Sequence, residues 1–279
     1  MPYLKSKRTW IPIFILSLFF FPSCSKDDSL SFDQEQAEII HWDSIVVAHW
    51  NIGNFSNGTF YETTISIDSA SQKRTAYIDF LNSVNADILG LCEYHPYFSL
   101  NNDDTHSSIL SMYKYASIGT KRYYNCNAIF TKLLPFYYEG GIVYNEHKQY
   151  RYYHYVDLKI NYKTVKFVET HLDWNEGSTG AQSRASQIHQ LVNDFKDYPY
   201  VIICGDFNVS NISEYDLFKE AGCTLANDGN LKIYPTNKPA GVIDNIILKG
   251  FSISNIEIFS KPNLSDHCLL KCILKINSI

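Results

Sequence analysis

The chain has 279 residues, with 24 Lys or Arg and 29 Asp or Glu, so its formal net charge is −5 at pH 7. A protein that holds long nucleic acids by general attraction to phosphate is expected to be basic, and this chain is not. Its length fits one large α/β or all-β domain and does not require a second one.

Residues 1–23 have the pattern of an export signal: a basic start over residues 5–8, an apolar stretch over residues 10–21, and then Pro-Ser. The apolar stretch is shorter than the roughly 20 residues that a membrane-spanning helix needs, and it contains Pro12. We therefore predict a cleaved signal peptide over residues 1–23. Its removal takes away three positive charges and no negative ones, so the formal charge becomes −8.

Cys24 follows a small residue at the end of this stretch and precedes Ser-Lys-Asp-Asp. The segment resembles a bacterial lipoprotein signal, which implies lipidation of Cys24 and a membrane anchor. Residues 24–28 also resemble the acidic tag of surface lipoproteins in Gram-negative bacteria, which implies the outer membrane and display at the cell surface. The alternative is a soluble secreted protein with a chance cysteine.

Residues 24–42 are polar and acidic, which is typical of a tether, and residues 43–279 are predicted to form the folded domain. Short β-rich runs bounded mostly by Gly, Asn, Asp or Pro predict strands. They lie at Ile45–Ala48, Ile88–Cys92, Ala128–Thr131, Tyr152–Ile160, Val165–Thr170, Val201–Cys204, Val242–Leu248 and Cys268–Ile276. Helical spacing of apolar residues predicts helices at Lys73–Val84, Gly180–Phe195 and Ser213–Ala221.

Several neighbouring strands are joined by connections too short for a crossover helix. This favours mixed or antiparallel sheets with helices packed outside them, an α/β sandwich. The tyrosine-rich stretch 150–155 suits either base and sugar stacking or packing on alternate faces of a strand, and packing is the favoured interpretation.

Polar residues stand at the ends of the apolar strands. They are Asn51, Glu93, His171, Asp206, Asn208, Asp266 and His267. Singly, Asp and Asn are explained by their preference for turns. Together, strand ends that meet at one edge of a sheet are a common place for a functional site, because strands hold side chains that loops leave exposed.

Six ordered segments carry a resemblance. They are His49-Trp50-Asn51, Gly90-Leu91-Cys92-Glu93, Thr170-His171-Leu172-Asp173, Gly205-Asp206-Phe207-Asn208, Ile243-Asp244-Asn245-Ile246 and Ser265-Asp266-His267. They resemble, in order, the motifs of the endonuclease/exonuclease/phosphatase (DNase-like) superfamily. The resemblance covers residues 45–275 and implies a four-layer sandwich of two packed mixed β-sheets flanked by helices.

The resemblance also implies a metal site. Glu93 and Asp266 would hold a divalent ion with Asn51 beside them, because carboxylate and amide oxygens suit Mg²⁺ and leave positions for water and phosphate. Mn²⁺ is the alternative ion.

The remaining motif residues receive catalytic roles from the same resemblance. His267 would be the general acid or base, oriented by Asp244. Asp206 would position or deprotonate the water, Asn208 would bind a phosphate oxygen, and His171 would stabilise charge on the phosphoryl group. Phosphoester hydrolysis needs these three functions: charge compensation, water activation and protonation of the leaving oxygen.

Arg184 and Gln187 match the Arg-x-x-Gln spacing of the same superfamily. Two roles are open for them: contact with the substrate, or hydrogen bonds that tie their helix to the loop after His171.

The sequence therefore predicts an anchored, metal-dependent phosphoester hydrolase whose substrate is open between nucleic acid, nucleotide, phospholipid and sugar phosphate. The acidic net charge counts against long nucleic acid. The rival hypothesis is a non-catalytic surface binding lipoprotein on the same scaffold, whose signature would be loss of a metal carboxylate or of the last histidine. All of these residues are present, which favours the enzyme. Oligomeric state is not indicated by the sequence.

Overall fold

The structure, a computed structural model, describes residues 42–55, 67–94, 105–119, 126–144, 151–209, 211–237 and 240–277. All of them belong to one compact unit, Ile40–Ile279. The predicted signal peptide, the lipidation site Cys24 and the tether up to residue 41 lie outside the described residues. Within the described part, no helix is long and apolar enough to cross a membrane.

Trp42, the last residue of the predicted tether, is part of the folded body. Its backbone N–H donates to Asn161 Oδ1 and its carbonyl accepts from Asn161 Nδ2, at 2.8 and 2.7 Å. The ring packs against the core between the sheets. Trp42 therefore belongs to the folded domain and not to the tether.

Twelve strands and four α-helices are described. The strands are β1 (Ile45–Asn51), β2 (Ile88–Tyr94), β3 (Tyr115–Ile118), β4 (Cys126–Thr131), β5 (Pro135–Val143), β6 (Tyr152–Ile160), β7 (Lys163–His171), β8 (Val201–Asp206), β9 (Thr224–Leu225), β10 (Asp244–Lys249), β11 (Phe251–Phe259) and β12 (Leu269–Ile276). The helices are α1 (Ile67–Val84), α2 (Thr105–Leu110), α3 (Gly177–Phe195) and α4 (Asp216–Glu220).

The strands form two six-stranded sheets. The first sheet has the order β11-β12-β1-β2-β4-β3, and the second has the order β5-β6-β7-β8-β10-β9. Each contains one parallel pair, β1 with β2 and β7 with β8, and the other pairs are antiparallel. The predicted mixed sheets are confirmed.

The central strands are buried on both faces, which explains their unbroken apolar sequences. On β8, Ile202 and Cys204 face the core between the sheets, while Val201 and Ile203 face the helices on the outside. A third cluster of buried residues joins the outer face of the first sheet to α1. The layers are therefore helix, sheet, sheet and helix, as the resemblance implies.

The predicted elements are found, with shifted ends and some omissions. Helix α1 begins at Ile67 and α3 at Gly177, and the predicted helix over 213–221 is a 3-10 turn followed by the short α4. Strands β3, β5, β9 and β11 and helix α2 were not predicted. The four strands are the edge strands of the two sheets. One of them, β11, is largely exposed or half-buried, so its hydrophobic pattern is weaker.

Candidate active site

The sheet topology brings five of the predicted site residues to one rim. Asn51, His171 and Asp206 are the last residues of β1, β7 and β8. Because β10 runs antiparallel to β8, its first residue, Asp244, lies opposite Asp206. Strand β12 runs antiparallel to β1 in the same way, so His267, two residues before it, arrives beside the end of β1.

Hydrogen bonds fix the segment that carries Asp266 and His267. Ser265 Oγ donates to the Asn51 carbonyl at 2.6 Å, and the His267 backbone N–H donates to Ser265 Oγ at 3.0 Å. Trp50 Nε1 donates to the His267 carbonyl at 2.9 Å. The two final residues of β1 therefore hold the backbone of the Ser-Asp-His motif.

Three side chains converge on Oδ2 of the buried Asp206. Asn51 Nδ2 donates to it at 3.1 Å, and the Nε2 atoms of His171 and His267 lie 3.5 and 3.7 Å away. Burial, and then the negative charge of Asp244, raises the pKa of Asp206 to about 6. This carboxylate can therefore exchange a proton near neutral pH, as activation of water requires.

His267 and Asp244 form a close pair, with Nδ1 2.8 Å from Oδ2. Burial acts to lower the pKa of His267, but the charges of Asp244 and Asp206 outweigh it and raise that pKa to about 9. Burial acts to raise the pKa of Asp244, but His267 and His49 hold it at about 2. At neutral pH the pair is an imidazolium and a carboxylate, so His267 carries the proton that a leaving oxygen needs.

Burial, and then the positive charge of Arg151, lowers the pKa of His171 well below its usual value. A neutral imidazole beside Asp206 can donate a hydrogen bond to a phosphoryl oxygen.

Asn208 has a left-handed backbone, with φ 51°, which is uncommon for a residue other than glycine. Its backbone N–H donates to Asp206 Oδ1 and its Nδ2 donates to the Leu172 carbonyl. One N–H of this amide remains for a phosphate oxygen.

Glu93 and Asp266 carry the carboxylates that the sequence predicts to hold a divalent ion, and Asn51 lies beside Glu93. Glu93 has φ 52° and half-buries its carboxylate at the rim. Burial raises the pKa of Glu93 and the charge of Asp266 adds to the effect, so a cation held there would favour the ionised form of Glu93. Asn51 Nδ2 lies 3.4 Å from Glu93 Oε1, and its amide oxygen accepts from the Gly53 N–H. In this arrangement Asn51 orients Glu93 through its N–H.

Asp206, Asp244 and His267 also lie close enough together to surround an ion. However, His267 Nδ1 is hydrogen-bonded to Asp244, and its raised pKa favours the protonated ring, which has no lone pair for a metal. Glu93 and Asp266 therefore stay the predicted ligands.

Arg151, directly before β6, was not predicted as a site residue. It is half-buried, and its buried Nε has no hydrogen-bond partner in the described part of the chain. Burial lowers its pKa, against the charges of Asp206 and Glu93. It thus adds a guanidinium to the acidic rim. The sequence signal for Arg151 was its position before β6, next to the end of β7. The interpretation of this stretch concerned its tyrosines instead. Tyr152 and Tyr153 are buried packing residues, which agrees with the favoured interpretation of the tyrosine-rich stretch.

Arg184 and Gln187 tie α3 to the loop after His171. Arg184 donates to the carbonyls of Asp173 and Asn175 and pairs with Glu214, while Gln187 Oε1 accepts from the Asp173 N–H. Of the two roles left open by the sequence, these contacts support the tethering one.

The two packed sheets and the rim of carboxylates, amides and imidazoles define a DNase-like α/β sandwich. The sequence profile of the Endonuclease/Exonuclease/phosphatase family matches residues 48–267, and the chain belongs to that family. Endonucleases, exonucleases and phosphatases all cleave phosphoester bonds. No curated protein matches the chain in sequence.

Solved structures share the fold at low sequence identity. An endonuclease/exonuclease/phosphatase family protein from Bacteroides thetaiotaomicron has a TM-score of 0.65 and 17% identity, covering 84% of this chain and 95% of that one. Humanized D. rerio TDP2 has a TM-score of 0.64 and 15% identity, covering 84% and 100%. D. rerio TDP2 complexed with a single-strand DNA product has a TM-score of 0.61 and 14% identity, covering 83% and 99%.

Proposed function

We propose that this protein is a divalent-metal-dependent hydrolase of phosphoester bonds. The observation that carries the proposal is the rim itself: two carboxylates suited to a cation, a carboxylate of pKa about 6, and a protonated histidine all face one place. Membership of the Endonuclease/Exonuclease/phosphatase family supports the same chemistry.

In this reaction each side chain has a role that follows from its charge. Asp206 takes a proton from the attacking water, and His267 gives a proton to the leaving oxygen. Arg151, Asn208 and neutral His171 donate hydrogen bonds to the phosphoryl oxygens, where negative charge must be stabilised. When bound, Mg²⁺ or Mn²⁺ at Glu93 and Asp266 would supply further charge compensation.

The substrate is a phosphoester, and the classes open to it are nucleic acid, nucleotide, phospholipid and sugar phosphate. The single-strand DNA product in a D. rerio TDP2 structure belongs to a protein of the same fold and supports a nucleic acid fragment as one candidate. The acidic net charge favours short or small substrates over long polymers.

The test is hydrolysis of a substrate panel by a form lacking residues 1–24, which keeps the whole compact unit. The panel contains bis-p-nitrophenyl phosphate, p-nitrophenyl phosphate, plasmid DNA, RNA and sphingomyelin, each with Mg²⁺ or Mn²⁺ and with EDTA. We expect metal-dependent cleavage that is lost in His267→Ala. Folded, metal-bound protein that cleaves no member would contradict the proposal and favour the binding-only alternative.

We also propose that the protein is exported and anchored through a lipid on Cys24, in the outer membrane and facing the cell surface. The support is the Cys-Ser-Lys-Asp-Asp segment after the apolar stretch. Membrane fractionation of Cys24→Ser tests the anchor, since this variant should leave the membrane fraction. Digestion by protease added to whole cells tests surface display. A Cys24→Ser protein that stays in the membrane would refute the lipid anchor.

A further inference from the structure

Two buried ionisable side chains lie directly behind Asp244, and the reaction described above gives them no role. His49 on β1 and Glu169 on β7 are both fully enclosed. His49 Nδ1 lies 2.9 Å from Glu169 Oε1, and His49 Nε2 lies 3.1 Å from Asp244 Oδ1. Enclosing such groups is costly unless each has a partner, so their place behind the catalytic pair requires an explanation.

The four side chains form a continuous series from the interior to the rim. Glu169 contacts His49, His49 contacts Oδ1 of Asp244, and Oδ2 of the same carboxylate contacts His267. Because both oxygens of Asp244 are engaged, the carboxylate cannot rotate without losing one contact. The orientation of His267 therefore depends on His49 as well as on Asp244.

Gly90 makes room for this arrangement. It lies opposite His49 in the parallel pair of β1 and β2. A Cβ atom at this position would lie 1.8 Å from Glu169 Oε2, so any other residue would displace the carboxylate. His49 and Gly90 belong to the first sheet, and Glu169 and Asp244 belong to the second. The contacts thus join the two sheets just below the rim.

Glu169 depends on His49 for compensation of its charge. Neither of its carboxylate oxygens has a hydrogen-bond partner among the described residues, and both atoms are buried. A buried carboxylate without a donor is held in place mainly by a nearby cationic or polar group. The 2.9 Å approach of His49 Nδ1, which likewise has no hydrogen-bond partner among the described residues, is that interaction, and it is electrostatic.

We propose that His49 and Glu169 are positioning residues for the Asp244–His267 pair, an inference that rests on the proposed function. Glu169 holds His49, and His49 holds Asp244 in the orientation that aims His267 Nε2 at the reacting phosphoester. Neither residue touches the substrate. Their loss therefore lowers the rate of the chemical step and leaves substrate binding largely unchanged.

The test compares His49→Leu with His49→Gln. Leu removes both polar contacts, whereas the Gln side-chain amide places an N–H donor near the position of Nε2. We expect His49→Leu to lower kcat about 10- to 100-fold, the usual cost of losing a side chain that orients a functional residue. KM should stay within about 3-fold of the wild-type value. We expect His49→Gln to recover most of kcat. Glu169→Gln, which keeps the shape without the charge, should give an intermediate kcat.

Asp157→Asn is the matched control. Asp157 pairs with Lys166 at 2.7 Å, is also buried, and lies further along β6 from the rim. Its variant should lose stability in urea unfolding and keep the kcat of the wild-type protein. If His49→Leu also keeps that kcat, the inference is wrong. Equal losses of kcat in His49→Leu and His49→Gln, in step with their losses of stability, would show a structural role only.

A second readout does not depend on turnover. In protein whose histidine rings carry nitrogen-15, NMR follows the Nδ1 proton that His267 donates to Asp244. The signal is assigned by its absence in His267→Ala. We expect this signal to shift or broaden in His49→Leu and to stay unchanged in Asp157→Asn. An unchanged signal in His49→Leu would overturn the inference. A changed signal in a protein that hydrolyses no substrate would leave the positioning role standing and reject the proposed function.

Discussion

His267 Nδ1 lies 2.8 Å from Asp244 Oδ2, and each residue is brought to that contact by a strand running antiparallel to a neighbour. We expect Asp244→Asn to lower kcat about 10²- to 10⁴-fold, because an amide no longer stabilises the imidazolium and can select the wrong tautomer. KM should change little. Steady-state kinetics on bis-p-nitrophenyl phosphate measure both values, and a kcat within 3-fold of wild type would remove His267 from the acid role.

Glu93 and Asp266 are predicted to hold the divalent ion. Glu93→Gln keeps the size of the side chain and removes one negative charge, so we expect Mg²⁺ or Mn²⁺ affinity to fall at least about 10-fold. Isothermal titration with Mn²⁺ measures the affinity directly, without any substrate. Glu257→Gln is the matched control, since Glu257 lies on the edge strand β11 and pairs with Lys271. Unchanged affinity in Glu93→Gln would place the ion elsewhere.

Arg151 supplies a positive charge beside Asp206 and Glu93. Removal of one donor to the phosphoryl group typically costs about 10²- to 10³-fold in rate, and we expect Arg151→Ala to lose this amount in kcat/KM. Arg151→Lys keeps the charge but loses the planar fork, so it should recover only part of the loss. Lys159→Ala, near the far end of the strand that follows Arg151, removes a charge away from the rim and is the control. Equal activity of Arg151→Ala and Lys159→Ala would exclude phosphate contact by Arg151.

The sequence predicted the sandwich and most of the residues that meet at its rim, because strand ends and ordered motifs are local features. It did not identify Arg151, His49 or Glu169 as parts of the site. His49 stands within a quoted motif, and Glu169 stands two residues before His171, but their contact joins strands of different sheets. Contacts between the sheets depend on how the two sheets are placed face to face, which no periodicity in a single strand specifies.

The edges of the fold were also less predictable than its centre. Strand β8 is buried on both faces and has an unbroken apolar sequence, whereas β5 carries exposed Phe136, Tyr137 and Tyr138. An edge strand needs only one buried face, so its hydrophobic pattern is weaker.

His154 lies between the two sheets, fully buried, with Nε2 3.2 Å from the Ser117 carbonyl. Burial lowers its pKa from 6.5 to about 4, so the unfolded chain binds a proton that the folded protein does not. The stabilising contribution of the neutral ring is present above pH 6.5 and is lost as pH falls toward 4. Between pH 7 and pH 5 this loss amounts to about 2 kcal/mol of unfolding free energy.

We expect His154→Gln to abolish that part of the pH dependence, because glutamine can donate to the Ser117 carbonyl and does not titrate. Urea unfolding at pH 7 and pH 5 measures the difference between the variant and the wild-type protein. His189→Gln, at an exposed position on α3, is the control and should retain the wild-type dependence. A His154→Gln protein that loses as much stability as the wild type on acidification would contradict this prediction. It would show that the His154 ring is also protonated in the folded state, beside the Ser117 carbonyl.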